Sequence, residues 1–198
     1  SSGTINYSLS GVACPSATAC TAVGSYNTSN ASLPLAEAWN GTSWAIQPLQ
    51  LPPGATSAYL NGVSCISATF CIAVGYSSDS TGIHDLAERW DGTFWTAQTG
   101  PSFPAFTGAL LNAVSCASAT ACMAVGGLGQ DSLALFWNGT NWTDIVVPRP
   151  PGGASATYLT GVSCAPATAP KTACTFLGNY FTIPGTPGAN ERTFGYAW

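Results

Sequence analysis

Charge is what this sequence has least of. Only 6% of its 198 residues are Asp, Glu, Lys or Arg, against ~25% in an average soluble protein. The basic residues are Arg89, Arg149, Lys171 and Arg192, and the formal net charge is −4. Neutralising phosphates takes clustered Lys and Arg, so nucleic-acid binding is excluded, and an electrostatic membrane anchor with it. No apolar run approaches the ~18–20 residues of a membrane span, so no membrane insertion is expected. No segment reads as a signal peptide, and none holds a helical period. Titratable groups are sparse as well: one histidine, His84, and eight carboxylates. The G-x-S-x-G, H-E-x-x-H and phosphate-loop patterns are missing. From this we expect no catalytic residue, no metal and no cofactor, and hence no enzyme.

What the chain does have is a repeat. Cys14, Cys65, Cys116 and Cys164 are spaced 51, 51 and 48 residues apart, and each is answered by a second cysteine, Cys20, Cys71, Cys122 or Cys174. Val23-Gly24, Val74-Gly75, Val125-Gly126 and Leu177-Gly178 follow, and then Trp39, Trp90, Trp137 and Trp198. In the first three copies a second tryptophan closes the unit: Trp44, Trp95 and Trp142. A period of ~40–50 residues made of short β segments is that of propeller blades. The fold class expected is therefore all-β, a β-propeller of four ~50-residue, four-stranded blades in one domain, with blades near 8–48, 58–99, 109–147 and 157–198.

The second copy shows the strands a to d of a blade. Strand a is expected over 59–66 and strand b over 70–76, joined by Ser67-Ala68-Thr69. The polar stretch 77–82 reads as a loop, 85–90 as strand c and 94–98 as strand d. Asp91-Gly92 marks the c–d hairpin, and Asn40-Gly41 and Asn138-Gly139 do so in copies one and three. Cys65 and Cys71 flank the a–b turn, where cross-strand Cβ atoms come within about 4.5–5.5 Å. Disulfides Cys14–Cys20, Cys65–Cys71, Cys116–Cys122 and Cys164–Cys174 are thus expected, rather than zinc knuckles, which want shorter gaps and His or Cys partners. In copy four the gap is longer by four residues. Four such bridges point to an oxidising compartment and a secreted protein. The tryptophans flanking each Asn/Asp-Gly turn fall on one face of their hairpin. Their recurrence favours packing between blades over a platform for sugar rings. Copy four stops at the end of its strand c, so we expect further blades or another subunit to complete the ring.

The motif S-C-x-S-A-T-x-C-x-A-V-G followed by W-N/D-G-T-x-W resembles the Cys-pair propeller repeats of secreted bacterial proteins, especially actinobacterial ones. In layout it is also similar to lectin propellers and Asp-box propellers, although of the Asp-box pattern only the tail, Gly92-Thr93-Phe94-Trp95, is present. The resemblance implies a blade architecture and carries over no catalytic residue.

Function is expected in the loops. The a–b and c–d turns are nearly uniform between copies. The b–c loops vary (25–33, 77–83, 127–131 and 179–190) and share one end of the sheets with the d–a connectors. Loops on a rigid scaffold are where binding resides. The candidate ligand-binding residues on that face are Tyr26, Asn27, Tyr76, Asp79, His84, Asp131, Asn179 and Tyr180. Neighbours on a strand point to opposite faces, so His84 and Asp85 are not expected to converge. Glu37 and Glu88, each two places before a repeat tryptophan, read as structural. Two functions fit: a secreted, lectin-like module binding a glycan or an extracellular protein partner, or a structural subunit of an extracellular complex or fibre.

Overall fold

The computed structural model describes residues 6–98, 100–101, 108–149, 154–165, 173–182 and 192–197. The turn inserted between Cys164 and Cys174, the long b–c loop of copy four and Trp198 lie outside them. The described residues form four antiparallel sheets and no helix. The first is β1 (Tyr7–Ser16), β2 (Ala19–Asn27), β3 (Ser32–Trp39) and β4 (Trp44–Gln47). The second is β5 (Ser57–Ser67), β6 (Phe70–Asp79), β7 (Gly82–Trp90) and β8 (Trp95–Gln98). The third is β9 (Ala109–Ser118), β10 (Ala121–Leu128), β11 (Asp131–Trp137) and β12 (Trp142–Asp144). The fourth holds β13 (Ala154–Ala165), β14 (Ala173–Thr182) and β15 (Arg192–Ala197). In every sheet the strands pair in sequence order, so each is a simple meander, one blade per repeat.

The repeat motifs have distinct physical jobs. The disulfides Cys14–Cys20, Cys65–Cys71, Cys116–Cys122 and Cys164–Cys174 close the a–b hairpins, with Cα atoms 3.9–4.1 Å apart. In blades 2 to 4 the two cysteines are direct cross-strand partners. The c–d turn spans four residues, since Trp39 pairs with Trp44 and Trp90 with Trp95. Its Asn or Asp caps the turn: Asp91 Oδ1 accepts the Thr93 and Phe94 amides, each at 2.8 Å. The following glycine takes the left-handed conformation (Gly92, φ 99°) that L side chains resist. Each tryptophan pair sits with ring centroids 5.5–5.7 Å apart.

The core is a series of seams between blades. Ile72, Val74 and Ala87 of blade 2 meet Leu111, Ala124 and Leu135 of blade 3. Val23 and Ala36 of blade 1 meet Leu60, Ala73 and Leu86 of blade 2, and Met123 and Val125 of blade 3 meet Leu159 and Phe176 of blade 4. Alternation along each strand gives every blade one apolar face for the preceding blade and one for the next. The inner strands touch backbone to backbone: a Cβ on Gly11 would lie 3.1 Å from the Cα of Gly62, and one on Gly62 3.3 Å from that of Ala113. Trp95 and Trp142 belong to these seams too. Trp95 Nε1 donates to Gln47 Oε1 of blade 1 at 3.0 Å, and Trp142 is buried.

The structure departs from the sequence reading at the b–c turns. Residues 77–79 and 82–84 are strand, not loop, and Ser80-Thr81 alone make the turn, since Asp79 pairs with Gly82. In blade 3 Gly129-Gln130 do the same, with Gly129 at φ 61°. Polar side chains do not end a strand when its backbone partners are available, and a glycine lets the chain reverse in two residues.

Candidate binding face

The b–c turns and the connectors between blades meet at one end of the sheets. Thr56 of the first connector donates its amide to the Ser78 carbonyl at 2.7 Å, and Gly108 of the second donates to Ile83 at 3.0 Å. The clearest site on this face is the blade 2 turn. Asp79 Oδ1 accepts the Thr81 amide and hydroxyl, both at 2.6 Å, and the Gly82 amide at 3.2 Å. His84 Nε2 stands 3.1 Å from the same oxygen and 3.0 Å from the Thr81 hydroxyl. Hydrogen bonds from the Thr81 hydroxyl and amide, and then from His84, hold the Asp79 carboxyl well below the usual carboxylate range. It is therefore ionised at any physiological pH.

Register explains the convergence. Ser77 pairs with His84 across the hairpin and Asp79 is two residues on, so all three share a face. They border a cleft of about 230 Å³ whose other wall is the proline connector Pro52-Pro53, with Ala55, Asp85, Leu86, Ala97 and Gln98. That is small beside the ~300–1,000 Å³ of drug-sized sites. Asp85 sits opposite Tyr76, on the alternate face from His84, and its Oδ2 lies against Gly100. Burial pushes the Asp85 carboxyl up.

The other sequence candidates share the end of the sheets but not the cleft. Tyr26 stacks on Tyr7, with centroids 5.7 Å apart, and Tyr76 on Tyr59 at 4.8 Å. Burial, and then the neighbouring Tyr59, raise the Tyr76 phenol. Asn27 Oδ1 accepts the Ser32 hydroxyl at 2.6 Å, and Ser32 Oγ accepts the Tyr59 hydroxyl at 2.7 Å, a chain that ties blade 1 to blade 2. Asp131 forms an ion pair with Arg149 that ties its turn to the third connector. Asn179 and Tyr180 lie on β14 opposite Tyr158 and Thr157. The tyrosines are not one repeated position. Tyr26 and Tyr180 lie two places after the blade glycine and Tyr76 one place after, so they belong to opposite faces of their strands.

The sequence reading missed Ser77, Thr81, Gln98 and the proline wall. One signal was present: Asp79-Ser80-Thr81-Gly82 is an Asx-turn sequence, in which the carboxylate captures amides two and three residues on.

No protein-family model matches the chain, and no curated protein matches it. By fold it is similar to the SapL1 lectin, solved in complex with alpha methyl fucoside, at 12% identity and TM-score 0.52 over 95% of this chain and 64% of that one. It is likewise similar to the GH43 endo-arabinanase from Bacillus licheniformis, at 8% identity and TM-score 0.50 over 95% of this chain and 70% of that one. The chain thus spans less than two thirds of the lectin's length. At these identities the likeness is one of fold: an all-β array of antiparallel, propeller-type sheets.

Proposed function

We propose that this chain is a non-enzymatic binding module of a secreted protein, recognising carbohydrate through the face where b–c turns and connectors meet. The observation that carries the reading is the Asp79–His84 cleft. It offers an ionised acceptor, an imidazole, the Ser77 hydroxyl and the Gln98 amide beside two proline rings. A sugar presents hydroxyls that both donate and accept, together with apolar ring faces, and this lining answers each. The scarcity of charge elsewhere favours a neutral ligand. The four disulfides support an extracellular setting. The fold likeness to a lectin supports the class without specifying the sugar.

Glycoside hydrolysis commonly needs two carboxyl groups flanking one bond. Of the two that border this cleft, Asp79 is engaged by the Thr81 and Gly82 amides, the Thr81 hydroxyl and His84, and Asp85 lies against Gly100, which favours binding over hydrolysis. A second reading, a subunit of an extracellular assembly, is favoured by the uncovered outer face of blade 1, where Leu9, Val12 and Ile46 are exposed.

A glycan array followed by calorimetry on the best hit tests the first reading. Asp79→Asn and His84→Ala should each weaken binding at least about tenfold, while the melting temperature moves by no more than a few degrees, because the turn is at the surface. Unchanged affinity in both variants would refute the cleft as the site. Release of sugar from arabinan or another polysaccharide would refute the non-enzymatic reading. A blank array together with large particles in light scattering would favour the assembly reading.

A further inference from the structure

The seams between blades share one apolar plan, and among the described residues the two ends of the array present the two halves of it. In each inner seam a strand-a leucine is covered by the preceding blade: Leu60 is 1% exposed, and Leu111 and Leu159 are 0%. Leu9, in the same place in blade 1, is 50% exposed. Trp44 is 46% exposed, whereas its blade 3 counterpart Trp142 is 4% exposed. Leu9, Val12, Ala22 and Trp44 wall an apolar groove of about 350 Å³ on this face. At the other end, Val23, Val74 and Val125 are fully buried by the blade that follows each of them, while Leu177, in their place in blade 4, is 53% exposed.

Polar contacts repeat with the same polarity between blades 2 and 3 and between blades 3 and 4, whereas blade 1 carries Ser10 and Ala13 in the places of the Asn and Ser that make them, and blade 4 carries Thr160 in the Asn place. The Cys116 amide donates to Ser64 Oγ of the preceding blade at 3.0 Å, and the Cys164 amide to Ser115 Oγ at 2.9 Å. Asn61 Nδ2 donates to the Leu111 carbonyl of the following blade at 2.8 Å, and Asn112 Nδ2 to that of Leu159 at 2.7 Å. Blade 4 carries Ser163 in the place of Ser64 and Ser115, and blade 1 carries Cys14 in the place of Cys116 and Cys164. One end presents the acceptor hydroxyl and the other the donor amide.

We propose that two copies of this chain pack head to tail, the blade 4 face of one, with Leu177 and Ser163, covering the blade 1 face of the other, with Leu9 and Trp44. The occupant follows from the inner seams, each of which shows this face accepting the following-side face of another blade of the same repeat. Two blade 1 faces set against each other would bring donor to donor. The contact is heterologous, so it closes into a ring where the rotation permits and extends into a fibre otherwise. It does not depend on sugar binding, and none of its residues borders the Asp79–His84 cleft.

Sedimentation equilibrium on the full chain tests it, with two variants that each place a charge in one half of the contact. Wild-type chain should associate with rising concentration. Leu9→Asp and Leu177→Asp should each be monomeric over the same range. An equimolar mixture of the two should recover a dimer, because Leu9→Asp keeps an intact blade 4 face and Leu177→Asp an intact blade 1 face. Both leucines are half exposed in the single chain, so circular dichroism should show both variants folded; the pair Leu9→Ser and Leu177→Ser serves if either is not. A wild-type chain that stays monomeric, a single variant that still associates, or a mixture that recovers nothing overturns the proposal.

Discussion

Replacing Gly75 by alanine should cost about 3 kcal/mol or more, a large loss for the addition of one carbon. A Cβ there would lie 1.9 Å from the Tyr59 carbonyl oxygen and 2.9 Å from the Leu60 Cα. Both are backbone atoms, so no rotamer change relieves the clash. The cause is a bulge in the facing strand: the register shifts between Leu60 and Gly62 and drives the Tyr59 carbonyl over the Gly75 Cα. Relief would mean parting β5 from β6, and β5 is the strand that packs on both neighbouring blades. Gly24, Gly126 and Gly178 face the same obstacle, with carbonyl oxygens 1.9–2.2 Å from an added Cβ. Gly127 is the control. Its added Cβ would meet the Tyr158 Cβ at 3.5 Å and the Asp131 carbonyl oxygen at 3.8 Å, both ordinary contacts, so Gly127→Ala should cost well under half as much. Denaturant unfolding under oxidising conditions measures both. A Gly75→Ala loss below about 1 kcal/mol would show that the bulge yields, and this account of the Val-Gly step in the repeat would be wrong.

That glycine shows where sequence reading reached and where it stopped. The blade layout was legible because identical motifs recur, and a repeated residue has to meet a repeated demand. The cysteine spacing and the Asn-Gly and Asp-Gly steps carried the hairpins for the same reason. Bulges were not legible, since they arise from how two strands pair, so the glycine after Val74 showed as a pattern without its cause. The candidate site was half legible. Asp79 and His84 both stood out as scarce titratable groups, yet residues 77–82 read as a loop, which hid their partnership. Once Asp79 pairs with Gly82, counting along the hairpin sets His84 opposite Ser77, on the face of Asp79. The unequal exposure of equivalent residues was out of reach altogether: Leu9 and Leu60 occupy the same motif, and only the presence of a preceding blade separates them.

The same asymmetry bears on Glu37 and Glu88. They share a repeat position, but Glu88 is 2% exposed in the seam with blade 1, and burial pushes its carboxyl up to about 7 from an ordinary 4.5. The folded state thus holds this proton more tightly than the unfolded chain does. The stability associated with Glu88 is then fully present below about pH 4.5, falls as pH rises towards 7, and is flat above that. The loss is on the order of 3 kcal/mol at its largest. Blade 3 shows how the position is filled without this penalty, since Leu135 stands there, 1% exposed. Glu88→Leu should therefore raise stability at pH 8 by about 2 kcal/mol and leave it little changed at pH 4.5. Glu88→Gln should remove the same slope, though the buried amide forgoes part of the gain. Asp85, also raised by burial, will keep a slope of the same sign in both variants, so the quantity to follow is the difference from wild type. Denaturant unfolding at intervals from pH 4.5 to 8 measures it. If Glu88→Leu and wild type run parallel across that range, Glu88 is solvated in the folded protein, and the seam between blades 1 and 2 is more open than described.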